Sequence, residues 1–413
     1  MKKKSLILFF TMILSLFMLI ALSSCKNFGR VGGRIVDEVP EDNWDVPPEP
    51  SPLPVLSMGP EEEIGDWIVK KFTCVGNEDR SYYSIVHYIG SDTTASIPEK
   101  FNGVPVTDID KTAFTFSYAT SVVMPASIIS ASFVECDRLI SIYFSGDIAS
   151  WCNINFGHEN PLVYAHDLYI NNVLATEITI PDGVKEIHPS AFTGWSGTKI
   201  VIPGSVKKIG ENAFSGCEKL TNVTLAEGLR EMGECCFSGC RGLTGITVPQ
   251  SVYSIEKGAF TGCRNLKTVL IPDHIKVINE DTFNGCAYLA EIVLPSSLEQ
   301  IGASAFNKCS SLEEVIIPNN VTTIGSGAFG YCTELEDVTI GNKVELIDKG
   351  AFFGCENLEK FSFVDTQGWY LSDGHKHIKD KRGWARTDLD VTDPFENADN
   401  MRTNNYKKIL FRL

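Results

Sequence analysis

The chain has 413 residues, with 36 basic against 52 acidic side chains and a net charge of −16. A surface of that sign repels phosphate backbones and anionic headgroups, which argues against nucleic acid as a partner. Beyond the first 24 residues no stretch approaches the roughly 20 apolar residues that a membrane-spanning helix requires.

Lys2, Lys3 and Lys4 form a positive start, and Leu6 to Ala21 is an apolar run interrupted only by Thr11 and Ser15. This pattern predicts a secretion signal over residues 1–24 that is removed. Leu22-Ser23-Ser24-Cys25 resembles a lipobox, in which a small residue precedes a cysteine that is acylated and becomes the new N-terminus. One acyl chain binds a membrane marginally and two or more anchor stably, so a lipidated Cys25 would tie the protein to the cell envelope, at its outer surface, and be its one membrane contact. The segment from residue 37 to 66 carries ten acids, no base and seven prolines. Such a composition builds no core, and an extended acidic tether is expected over residues 25–66, up to roughly 3.1 Å per residue.

Internal periodicity decides the fold. Phe214, Phe237, Phe260, Phe283, Phe306, Phe329 and Phe352 recur every 23 residues, and Phe192 precedes them by 22. Cys217, Cys240, Cys263, Cys286, Cys309, Cys332 and Cys355 keep the same step, as do Pro203, Pro249, Pro272, Pro295 and Pro318. One copy reads Ile316, Ile317, Pro318, Val321, Ile324, Ala328, Phe329, Cys332, Leu335. A single copy cannot bury its apolar face, whereas stacked copies place Phe on Phe and Leu on Leu in a continuous core. The alternation before each proline is that of a strand, and proline, lacking an N–H, ends it. The expected fold is a β-rich solenoid of 23-residue coils, with one short parallel strand per coil and short 3₁₀ turns between. Each buried Phe should contribute roughly 1.5–3 kcal/mol.

The template I-x-I-P, V-x-x-I, A-F-x-G-C-x-x-L resembles the leucine-rich repeats of BspA-like surface proteins, over about residues 80–363. Coils are regular over 177–363. Residues 97–176 hold two degenerate repeats, Ile97-Pro98 with Ala113-Phe114 and Met124-Pro125 with Phe133 and Cys136, and then a stretch from Trp151-Cys152 that is similar to the elongated coil interrupting such arrays. Residues 67–96 look like a hairpin cap, needed because an end coil would expose its core. Residues 364–413, with Trp369-Tyr370 and Asp390 to Pro394, resemble the tail after the last coil.

No constellation of residues points to catalysis, a metal or a cofactor. The cysteine column occupies a slot that needs a small apolar group, filled by Trp195 in the first regular coil, and reads as packing by free thiols; Cys236, in an alanine slot, reads the same way. Cys152, His158, His166 and Asp167 match neither a thiol-protease signature nor structural-zinc spacing. Asp373, His375 and His377 read as a solvated tail, and Gly29 to Gly33 lacks the strand–turn–helix context of a phosphate loop.

The informative positions face outward. The middle residue of each strand gives Val201, Thr224, Thr247, Leu270, Val293, Ile316, Thr339 and Ser362, so Leu270, Val293 and Ile316 form an apolar stripe on adjacent coils. Glu291, Glu313, Glu314, Glu336, Asp337 and Glu359 run beside it. The candidate docking face therefore comprises Leu270, Val293, Ile316, Glu291, Glu314 and Asp337, suited to a basic, partly apolar protein. The family resemblance implies adhesion to host matrix or plasma proteins or to other bacteria. The alternative is a scaffold lipoprotein of the envelope without a host ligand.

Overall fold

The computed structural model describes residues 56–74, 77–157 and 159–367, Met401, and the short strands Trp369–Ser372, Thr387–Asp388 and Ile409–Arg412. The leader, Cys25, residues 26–55 of the tether, His158, and Asp373, His375, His377 and Asp390 to Pro394 of the tail lie outside the described residues.

The regular coils contribute two parallel strands each, one more than the sequence pattern predicts, except that residues 291–294 form no front strand. On the front face, before the proline, Glu177–Thr179 pairs with Lys199–Ile202 and that with Asn222–Leu225. Gly245–Thr247 pairs with Thr268–Leu270. Glu314–Ile316 pairs with Asp337–Ile340 and that with Lys360–Phe363. On the back face the two residues ending in the second aliphatic form their own ladder, in which Ile278, Ile301, Ile324 and Ile347 stand in register. β-Branched residues suit these pleated positions, where one side chain is buried and the next is not.

The third side of each coil is a run of turns. Single i+3→i hydrogen bonds of 3₁₀ type close them, such as Cys286 N–H to Phe283 and Leu289 N–H to Cys286, both 3.1 Å. The Phe N–H reaches to the next coil instead: Phe283 donates to Ala305 at 2.8 Å and Phe306 to Ala328 at 2.7 Å. A small residue before each Phe, alanine in six coils, Cys236 and Thr282 in the other two, keeps these backbones close. The glycine of the Gly-Cys pair sits at positive φ, +70° to +77° in Gly216, Gly262, Gly285 and Gly354, where a Cβ is disfavoured. Lys308 and Tyr331 hold the same slot at φ 60° and 58° and bear that strain.

Inside, the Phe rings stack without interruption from Phe192 to Phe352. Phe283 lies 5.5 Å from Phe260 and 5.3 Å from Phe306, with interplanar angles of 3° and 13°. All of these rings are buried.

At the N-terminal end three antiparallel strands, β1 (Leu56–Ile64), β2 (Trp67–Cys74) and β3 (Asn77–Tyr88), precede the coils. Thus residues 56–64, expected in the extended tether, form a strand. Gly65, at φ 61°, and Asp66 turn it into β2. Pro60 falls where the register shifts between Met58 and Glu61, so its missing N–H removes no regular ladder bond. At the other end Ile409–Arg412 runs antiparallel to Leu346–Ile347 and covers the edge of the back ladder.

The irregular coil departs from the β pattern through two short helices, α1 (Ile148–Cys152) and α2 (Leu162–Ala165). Asp147 caps α1, accepting the Ser150 N–H at 2.7 Å. Asn160, fully buried, joins this coil to the next: its amide donates to Ser190 and Ala191 carbonyls at 2.9 and 2.7 Å and accepts the Leu162 N–H at 2.7 Å.

Candidate protein-binding face

The front ladder buries Val269, Val315 and Val338 and turns their neighbours out. Leu270 is 62% exposed, Val293 82% and Ile316 61%, so the apolar stripe read from the strand phase lies on the surface. Thr224 and Thr247, outward on other coils, are exposed too, whereas Val201, Thr339 and Ser362 are half-buried.

The acidic row divides. Glu291 and Glu314 are exposed and have no ion pair among the described residues, and Glu313 shares that state. Asp337 differs from them. Its Oδ2 accepts from Lys360 Nζ at 2.7 Å, while its Oδ1 is buried without a hydrogen-bond partner. That hydrogen bond, with the carboxylate charge, holds the Lys360 ammonium above the ordinary lysine range. Asp337 is therefore already neutralised. The pairing was legible: Lys360 follows Asp337 by one 23-residue coil, as Glu231 follows Lys208, Glu280 follows Lys257 and Glu299 follows Lys276, all ion-paired. Such exposed pairs contribute little individually.

One feature of the face had no signal in the sequence. Glu291-Ile292-Val293-Leu294-Pro295 matches the template as well as its neighbours do, yet residues 291–294 form no strand. A cleft of about 760 Å³ opens there, between residues 290–296 and 313–320, lined by Glu291, Val293, Glu313, Glu314 and Ile316 among others and by no lysine or arginine.

Cys152, His166, Asp167 and the column cysteines are packed or hydrogen-bonded within the coils. Cys152 is fully buried, and burial pushes its thiol up to about 12, far from a nucleophile's range. His166 Nδ1 lies 2.9 Å from the Gly194 carbonyl, and Asp167 accepts the Ser196 hydroxyl at 2.6 Å. The seven column cysteines are buried and free. Each thiol donates to the carbonyl of the Phe one coil back, as Cys286 does to Phe260 at 3.3 Å and Cys309 to Phe283 at 3.2 Å. Burial pushes Cys240, Cys263, Cys286 and Cys332 well above the ordinary thiol value. Among the described residues no group of three or more His, Cys, Asp or Glu is placed to hold a metal ion, and no helix is long and apolar enough to cross a membrane.

Coils of 23 residues, two parallel ladders and stacked columns of Phe and Leu define a leucine-rich-repeat solenoid with a broad outer surface. Residues 166–289 and 254–368 match the family described as a BspA type Leucine rich repeat region, in six copies, and over those residues the chain belongs to it. No curated protein matches the chain. Similar solved structures include a leucine rich cell surface protein from Faecalibacterium prausnitzii, 20% identical, covering 75% of this chain and 96% of that one with a TM-score of 0.40. A leucine-rich repeat protein from Bacteroides ovatus is 21% identical over 75% of this chain and 70% of its own, with a TM-score of 0.40. The pneumococcal vaccine antigen PcpA is 18% identical over 74% and 87%, with a TM-score of 0.42.

Proposed function

We propose that the protein is a lipid-anchored binding scaffold of the bacterial cell surface, which captures a protein partner, of a host matrix or plasma or of another bacterium, on the front face of its solenoid. The reading assigns it no catalysis. The observation that carries it is the stripe of Leu270, Val293 and Ile316, exposed on three consecutive coils of an acidic surface. Apolar groups so placed are costly to solubility and useful to association. Glu291 and Glu314 beside them favour a cationic partner, and Asp337 adds less because Lys360 already answers its charge. The anchor rests on the lipobox-like Leu22 to Cys25 and the acidic stretch after it.

Capture of immobilised matrix and plasma proteins by intact cells tests both parts. Cys25→Ala is expected to release the protein into the medium with its binding intact. Val293→Lys is expected to stay on the cell and to lose capture at every salt concentration. Unchanged capture by a folded Val293→Lys protein would move the site away from this face, and a Cys25→Ala protein that remains cell-bound would remove the lipid anchor.

A further inference from the structure

The apolar stripe crosses a place where the front ladder is open. Thr268–Leu270 pairs only with Gly245–Thr247 behind it, and Glu314–Ile316 only with Asp337–Ile340 ahead of it. Between them, the backbone N–H and C=O groups of Glu291, Ile292, Val293 and Leu294 form no hydrogen bond within the described residues.

The front ladder is also unpaired between Asn222–Leu225 and Gly245–Thr247, but each of those segments forms a strand with its other neighbour, whereas Glu291–Leu294 pairs on neither side. Immediately before this segment Glu313 N–H still reaches the Ala290 carbonyl at 3.3 Å, and just after it Leu298 N–H bonds to Pro295 at 3.0 Å. The same coil is intact elsewhere: Phe283 stacks on Phe306 at 5.3 Å and Ile278 pairs with Ile301. At this junction the back ladder holds, although one coil earlier it too is unpaired, between Ser254–Ile255 and Val277–Ile278. The front ladder has parted at Val293, the most exposed residue of the stripe.

An unpaired strand is a template for another extended chain, because its main-chain groups lack partners other than water. The cleft over it selects which chain. Val293 and Ile316 offer apolar contact, while Glu291, Glu313 and Glu314 bring three carboxylates that make no ion pair among the described residues, Glu314 alone lying near enough to Lys360 to act on its charge. A second copy of this protein, at net charge −16, is repelled from such a surface. A basic segment with alternating apolar residues complements it.

We infer that Glu291–Leu294 is an acceptor strand that takes up an extended, basic peptide segment of the partner through main-chain hydrogen bonds. Val293 and Ile316 receive its apolar side chains, and Glu291, Glu313 and Glu314 its cations. This rests on the docking face proposed above and adds the form and charge of what binds there.

The test uses the whole mature protein and a fluorescent nonapeptide of alternating lysine and valine, read by anisotropy. Two controls accompany it, the same peptide N-methylated at alternate residues and a nonapeptide of alternating glutamate and valine. The lysine peptide is expected to bind and the glutamate peptide not to. N-methylation should weaken binding by roughly tenfold, the loss of one or two main-chain hydrogen bonds. Equal binding of the methylated peptide, or no preference for lysine over glutamate, overturns the inference. Absence of peptide binding also overturns it, while the docking face is judged separately by whether Val293→Lys abolishes capture of whole proteins.

Discussion

From Phe192 to Phe352 every coil meets the one before it through the same groups: a ring on a ring, a thiol on the preceding Phe carbonyl, and a Phe N–H on the next coil's backbone. Between Asp147 and Trp195 that step is lost, and single side chains replace it. Trp151 Nε1 donates to Ala191 at 2.8 Å, Trp195 Nε1 to Ala175 at 2.8 Å, and Asn160 joins three backbone groups at once. Repetition spreads stability over many equivalent contacts, whereas the irregular coil concentrates it in a few buried polar ones. A half-satisfied buried polar network is worse than an apolar core, so the second solution is the less tolerant of change.

The largest effect expected from this contrast is in the regular coils. Phe283→Ala removes a ring held on both sides, leaves a cavity that neither neighbour can fill, and should cost about 3–5 kcal/mol. An unchanged denaturation midpoint would mean that the ring column does not support the fold. Asn160→Leu keeps the volume but leaves the buried Leu162 N–H without a partner, while the Ser190 and Ala191 carbonyls keep the Thr193 N–H and the Trp151 indole, for a loss of roughly 1–3 kcal/mol. Hydrogen exchange should then rise first at His188 to Ala191 while the coils beyond Phe214 stay protected; a uniform rise would show that the two regions open together. The smallest effect is at Asp147→Ala, about 1 kcal/mol for the lost helix cap. The backbone hydrogen bond from Ser150 holds the Asp147 carboxyl below its ordinary value. Its contribution is therefore present above the ordinary carboxylate range and lost as pH falls through the depressed value. The Tm difference between the native protein and Asp147→Ala should vanish in acid and be full at neutral pH, which a pH series of melts measures.

The step of 23, the Phe, Cys and Leu columns and the outward phase of Leu270, Val293 and Ile316 were legible because identical residues recur where identical contacts are made. The back ladder was not. Its strands are two residues long, Gln300–Ile301 for example, too short for any alternation to register. β1 was hidden by Pro60 and by Glu61, Glu62 and Glu63, which read as a tether although the proline sits at a bulge. The open segment Glu291–Leu294 carries the same apolar-x-apolar-Pro pattern as its neighbours, so nothing in its own residues marks it as unpaired. Lys360 opposite Asp337 was within reach of anyone who compared charges one coil apart.

The ring column also governs how such a molecule can change length. Because Phe260, Phe283 and Phe306 make interchangeable contacts, loss or duplication of one whole coil sets equivalent surfaces against each other, as if Phe260 met Phe306 directly. A change of any other size puts turn residues where rings belong and rotates the coils beyond it out of phase. The single short step, 22 residues from Phe192 to Phe214, keeps the rings 5.3 Å apart because the missing residue falls in the turn after Trp195, whose indole fills the slot that a cysteine takes elsewhere. Genetically the solenoid behaves as a counted array, and coil number can drift between related surface proteins while the cross-section stays fixed.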